Sequence, residues 1–242
     1  MIGYYTYCVQ RLDDRFQGPP DPIANSRIHL WHAVLDSNCI PDDRIESSVP
    51  RKELEGIKYI FYDDRKRYLR ARAFLRSVLG QYLHMEPKQI LFSRSPLGKP
   101  IIDISHHNRD ICFNMSTSDH VALVGISLNI KLGVDIESIR NRPFSHHEET
   151  LIFSDSELRR IDASEARSRG ETTIRSWTAK EAYLKAVGCG LYYPPNLVDV
   201  LIRNEKPIKI FAAAKCCSLS TITSLIHFDP VPGYAASAVS IE

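Results

Sequence analysis

At 242 residues, with 31 Lys and Arg against 29 Asp and Glu and a formal net charge of +2, the chain lacks the global basic field that nucleic acid or an anionic membrane attracts. Hydrophobic residues at 43% and charged residues at 25% describe a folded chain rather than a disordered one, and no apolar run reaches the roughly 20 residues of a membrane span. Met1–Gln10 shows no secretory signal, and six cysteines without a CxxC spacing fit reduced thiols in a cytoplasmic protein rather than a zinc module or a disulfide framework.

In chain order, residues 1–25 end in the breaker cluster Gly18-Pro19-Pro20-Asp21-Pro22 and read as a leader outside the fold. A strand is expected over Arg27–Leu35, a loop from Pro41 to Pro50, and two helices between Arg51 and Leu83, broken near Tyr62-Asp63-Asp64. Residues 90–104 and 110–128 read as strands, with Ser95-Pro96-Leu97-Gly98 as a turn. Leu132–Ile136 is a further strand, Ser154-Asp155-Ser156-Glu157 is a capping box opening a helix, and Thr172–Val187 is a longer helix ended by Gly188 and Gly190. Strands are expected again at 197–203, 207–213, 219–228 and 234–241. This order suggests two successive α+β halves, 26–130 and 131–242, meeting near Asn129-Ile130-Lys131.

Three constellations carry possible chemistry. In Gly133-Val134-Asp135-Ile136-Glu137, strand alternation puts Asp135 and Glu137 on one face. Paired carboxylates repel unless a cation lies between them, and such oxygen ligands suit Mg²⁺; the plain alternative is a solvated acidic strand face. In Trp177 through Lys185, helical spacing aligns Trp177, Glu181 and Lys185, which reads either as a metal-and-phosphate stripe or as an ordinary surface ion pair. In the basic helix Arg65–Arg76, Arg65, Arg72 and Arg76 share a stripe that could meet phosphates in a cleft, form a solvated face, or bind nucleic acid. The pairs His106-His107 and His146-His147 read as loop residues rather than metal ligands, and Cys216-Cys217 as a reduced strand pair.

These pieces occur in one order: Gly98-Lys99-Pro100, Phe113-Asn114-Met115-Ser116, Gly133-Val134-Asp135-Ile136-Glu137, Phe153 through Leu158, and Trp177-Thr178-Ala179-Lys180-Glu181-Ala182 through Lys185, Gly188 and Gly190. The series resembles the Sfp-type 4′-phosphopantetheinyl transferases, in the subgroup with a WxxKEA motif, from about Arg27 to Pro232-Gly233-Tyr234. The resemblance implies an α+β fold of two similar, pseudo-symmetric halves with the active site between them. It implies transfer of the phosphopantetheine arm of coenzyme A, as co-substrate, to a serine of an apo acyl or peptidyl carrier protein. It further implies a cytoplasmic monomer that requires Mg²⁺ (oxygen ligands also accept Mn²⁺), with no nucleic-acid or membrane partner.

By the same resemblance, Asp135, Glu137 and Glu181 match metal-binding carboxylates, Glu181 the base for the serine, and Lys185 the lysine on the pyrophosphate. Arg94 and Lys99 match basic contacts to the nucleotide end, and Ser116 lies in the phosphate-contacting segment. Two positions depart from the pattern. Thr117 stands where the family has histidine, removing a positive charge beside a coenzyme phosphate, and Glu55 stands where relatives place a basic residue. Lys52 and Lys58, about one turn to either side, are the candidate substitutes, and with Arg72 they are the expected phosphate contacts. A catalytically weak protein that binds coenzyme A and carrier is the alternative these departures raise.

Overall fold

The structure, a computed structural model, describes residues 6–11, 23, 27–36, 39–56, 62–103, 111–140, 144–166, 168–203, 206–212 and 222–241. Lys58, His106-His107 and Cys216-Cys217 lie outside these residues.

The first half runs β1 (Thr6–Arg11), β2 (Arg27–Val34), α1 (Asp42–Ser48), α2 (Arg51–Gly56), α3 (Tyr62–Leu83), the short hairpin β3 (Phe92–Arg94) and β4 (Pro100–Ile102), then β5 (Ile111–Ser118) and β6 (Val121–Leu128). The second runs β7 (Lys131–Ser138), α4 (His146–Ile152), α5 (Asp155–Asp162), α6 (Arg169–Val187), the hairpin β8 (Val198–Arg203) and β9 (Lys206–Ala212), then β10 (Ile222–Phe228) and β11 (Tyr234–Ile241). From β2 and from β7 onward the order is the same: strand, three helices, hairpin, two strands. The sheets repeat it too. β6 lies between β2 and β5, and β11 lies between β7 and β10, with every one of these pairs antiparallel. The two halves are therefore pseudo-symmetric.

Three differences from the sequence reading have local causes. Thr6–Arg11 pairs in parallel with Arg27–His32, so these residues of the expected leader extend the first sheet instead of lying outside the fold. The expected loop between Pro41 and Pro50 contains α1. Asp42 and Asp43 complement its positive end, and Ile45 and Ser48 are buried beneath it. His146 and His147 are not in a loop but in the first turn of α4, where Ser145 and Glu148 form a capping box like that of Ser154 and Glu157 at α5.

Alternation along the strands builds four layers. Trp31 and Ala33 of β2, with Ala122, Val124 and Ile126 of β6, face the α3 residues Phe74, Leu75, Val78 and Leu79. The opposite faces, Ile28, Leu30, Val121 and Leu123, pack on Leu132, Val134, Ile136, Ala236 and Ala238 of the second sheet. The outer face of that sheet meets α6, whose Ala179, Ala182, Tyr183 and Ala186 pack with Val239 and Ile241. The helix α6 therefore lies against the odd-numbered residues of β7, which include the acidic pair.

The edge strands β5 and β7 are joined by side chains. Asn114 Oδ1 accepts from the Val134 amide at 2.8 Å. Ser118 Oγ accepts from the Ser138 amide at 3.1 Å and donates to Glu137 Oε2 at 2.8 Å. Ser116 Oγ, midway between them, donates to Asp135 Oδ1 at 2.8 Å. One row of alternate β5 residues thus closes the seam between the halves where the carboxylates stand.

Candidate active site

Glycine at position 133 decides how near the helix comes. A Cβ placed there would lie 2.0 Å from Ala182 O and 2.3 Å from Ala186 N, so the backbones of α6 and β7 are in direct contact. That approach puts one turn of α6 over the acidic face of β7. Lys185 Nζ donates to Asp135 Oδ1 at 2.6 Å and to Ser116 Oγ at 3.0 Å, while Glu181 Oε2 lies 3.7 Å from the same ammonium. Trp177, on the same stripe, packs edge-on against Phe144 at 5.4 Å between ring centroids.

Asp135 is not on a solvated face; it is 2% exposed. Burial raises its pKa, opposed by Lys185 and Ser116. Burial and then the neighbouring Asp135 push Glu137 up to about 7. Glu181 is also raised, chiefly by burial, with Lys185 opposing. Lys185 is raised in spite of its burial, because Asp135, Glu181 and Glu137 favour its charge. Three carboxylates therefore share one ammonium, and Asp135 Oδ2 is buried without a hydrogen-bond partner. Among the described residues no three His, Cys, Asp or Glu side chains are already arranged to hold a metal. The donor chemistry nevertheless fits a hard divalent cation: carboxylate oxygens, an unpartnered buried oxygen, and a deficit of positive charge.

Beside this cluster, a cleft of about 670 Å³ in the first half is lined by Arg67, Tyr68, Arg72, Arg94, Ser116 and Thr117, among others. Ser116 belongs to both the cleft and the carboxylate cluster. Arg72 is bonded to Glu53 and stacks on Phe92, 4.9 Å from the ring centroid. Arg94 Nη1 donates to Gly98 O at 3.0 Å. Thr117, exposed, points opposite to Ser116 and Ser118 along β5.

The other expected residues are placed differently. Lys52 is exposed on α2 and does not line the cleft, and Glu55 pairs with Arg51 at 3.0 Å. Of the stripe expected to face phosphates, Arg72 lines the cleft, while Arg65 and Arg76 tie down the fold. Arg65 donates to Leu54 O, and Arg76 donates to Glu53, Pro87 O and Ile90 O. Beside Arg72, the cleft takes the neighbouring Arg67, Tyr68, Ala71 and Leu75. Sequence reasoning passed over Arg67; the i, i+4 pairs Arg67–Ala71 and Tyr68–Arg72 were the available signal. Lys99 does not reach into this cleft, since its Nζ donates to Leu132 O and Lys185 O. Lys180, next to Glu181, points the other way, fully buried against Glu157 at 2.7 Å and three backbone carbonyls.

A two-half α+β fold with clustered acids and a lysine at the seam, beside an arginine-lined cleft, has the donor chemistry that suits a phosphorylated ligand and a divalent cation. Family profiles divide the chain at the same seam: "4'-phosphopantetheinyl transferase, N-terminal" matches residues 43–128 and "4'-phosphopantetheinyl transferase superfamily" matches 131–238. The 4'-phosphopantetheinyl transferase HetI of a Nostoc species is 30% identical, covering 81% of this chain and 83% of that protein. The 4'-phosphopantetheinyl transferase gsp of Aneurinibacillus migulanus is also 30% identical, over 75% of this chain and 81% of its own. Sfp of Bacillus subtilis is 25% identical over 66% and 69%. The chain belongs to the 4′-phosphopantetheinyl transferase superfamily.

Proposed function

We propose that this protein transfers the 4′-phosphopantetheinyl group of coenzyme A to a serine hydroxyl of an apo acyl or peptidyl carrier protein, releasing 3′,5′-ADP. The observation that carries this reading is the convergence of Asp135, Glu137 and Glu181 around Lys185, with Asp135 Oδ2 unpartnered, joined through Ser116 to an arginine-lined cleft. Asp135, Glu137 and Glu181 would hold a Mg²⁺ ion, which when bound supplies charge neutralisation to a pyrophosphate.

The remaining roles belong to the chain itself. Arg67, Arg72 and Arg94 offer guanidinium forks to the phosphate at the nucleotide end, and Thr117 offers a hydroxyl. Lys185 stands where the pyrophosphate meets the acids and opposes charge developing on the departing 3′,5′-ADP. Glu181, at 16% side-chain exposure, is the carboxylate that takes the carrier serine's proton in this reading. Burial raises its pKa, the direction that strengthens a carboxylate as a base. The serine oxygen forms the new P–O bond as the bond to the bridging pyrophosphate oxygen breaks. Among the described residues no helix is long and apolar enough to cross a membrane. A cytoplasmic monomer acting on carrier domains is the setting this reading entails.

The test is intact-protein mass spectrometry of several apo carrier domains incubated with the protein, coenzyme A and Mg²⁺. Wild type should add one phosphopantetheinyl group to the carrier serine. Glu181→Ala, or wild type with excess chelator, should add none. Failure of wild type on every carrier, despite coenzyme binding, would leave a binding protein instead of an enzyme.

A further inference from the structure

Lys99 sits at the tip of the β3–β4 hairpin in a turn with little freedom. The Ser95 amide donates to Lys99 O at 2.9 Å, the Lys99 amide to Ser95 Oγ at 3.0 Å, and the Gly98 amide to Ser95 O at 2.8 Å with Gly98 at φ +85°. From this platform in the first half, the side chain crosses the seam. Its stem passes Gly188, where an added Cβ would meet Lys99 Cδ at 3.8 Å. Its Nζ then donates to Leu132 O at 2.9 Å and to Lys185 O at 2.6 Å.

Both acceptors belong to the elements that carry the acid cluster. Leu132 lies on β7 three residues before Asp135, and Lys185 lies in the last turn of α6, whose carbonyls form the negative end of the helix. A cation there satisfies a helix-end carbonyl and ties it to the strand below. Lys185 is thus held at both ends, its ammonium by Asp135 and Ser116 and its carbonyl by Lys99. Burial holds the Lys99 pKa down at about 8, in keeping with an amine committed to internal acceptors.

Resting on the transfer reaction proposed above, we infer that Lys99 is a positioning residue: a clamp from the first half that fixes α6 against β7 and so sets Lys185 and Glu181 over Asp135, rather than a contact to the nucleotide. Loss of the clamp lets the end of α6 shift. Misplacement of reacting groups by about 1 Å costs on the order of 10²-fold in rate without requiring a loss of ligand affinity.

The experiment compares wild type with Lys99→Met and Lys99→Arg, using coenzyme A and 3′-dephospho-coenzyme A as substrates, with amide hydrogen exchange over residues 183–189. Lys99→Met should lower kcat about 10- to 100-fold. It should leave the KM for coenzyme A within about 3-fold, keep the wild-type preference between the two substrates, and speed exchange at the end of α6. Lys99→Arg, which can still donate to two carbonyls, should recover part of the rate and of the protection. A Lys99→Met variant that instead loses its preference for coenzyme A over the dephospho form would make Lys99 a phosphate contact and overturn the clamp. Unchanged kcat and exchange would overturn it equally. If Lys99→Met does not fold, Lys99→Gln carries the same comparison. If wild type transfers nothing, the proposed reaction fails, and the exchange measurement still decides whether Lys99 holds α6.

Discussion

Gly133 and Ala182 are in backbone contact: the space that a side chain at 133 would occupy is filled by the carbonyl of the helix residue one position after Glu181. The acid pair on β7 and the acid–base pair on α6 share a site because nothing stands between strand and helix. Gly133→Ala must push α6 outward or break its carbonyl ladder. Since backbone cannot swing aside as a flexible side chain can, a loss at or beyond the upper end of ordinary overpacking costs is expected, about 3 kcal/mol or more. Urea denaturation measures it. A midpoint equal to wild type would overturn the direct backbone contact.

Lys180 and Glu181 are adjacent yet serve opposite sides of α6. Lys180 and Glu157 are 0% and 1% exposed, and Glu157 also caps Ser154 and accepts from the Val200 amide. Lys180→Met leaves a buried carboxylate uncompensated, and about 3–5 kcal/mol of stability should be lost. Adding Glu157→Gln, which retains an acceptor, should recover part of it. Glu181→Gln should abolish transfer with a far smaller change in stability. Chemical denaturation beside the carrier assay separates the two roles.

Acid should weaken the junction of α2 with α3 in a definite window. Burial acts to raise the Glu53 pKa, but Arg72 and Arg76 together outweigh it and hold it below 4.5. A depressed carboxylate contributes stability that is fully present above its unfolded value and is lost as pH falls through the folded one. Wild-type stability should therefore fall from about pH 4.5 downward, and the Glu53→Gln protein should show a shallower slope there. Denaturation midpoints measured from pH 6 to pH 3 would show it; parallel curves would exclude the assignment.

Thr117 of β5 and Arg67 of α3 both line the cleft, and each predicts a change in coenzyme affinity. Thr117→His should lower the KM for coenzyme A roughly 3- to 10-fold below about pH 6.5, where imidazole is charged, with little change in kcat. Arg67→Ala should raise that KM without moving kcat. Steady-state kinetics at pH 6 and pH 8 suffice for both, and a KM unmoved in either variant removes that residue from the binding surface.

Much of this was written in short-range pattern. Alternation along 131–138 assigns Asp135 and Glu137 to one face, Ser-x-x-Glu opens α5, and Gly188 closes α6, because each depends on residues within a turn or two of one another. The capping box at Ser145 and the acidic start of α1 were equally local and open to the same reading. What lay beyond the linear order was which face meets which partner. The basic helix α3 offers several arginine stripes of similar composition. Only docking against α2 and β5 decided that Arg65 and Arg76 are spent internally while Arg67 and Arg72 line the cleft. Lys99 and Lys185 are separated by 86 residues, so no periodicity connects them. Sequence alone determined the succession of two α+β halves and the acidic face of β7, since propensity and alternation are local. The tertiary structure decided which cations line the cleft and which are turned to internal acceptors, since a charge takes its role from the groups the fold brings to it.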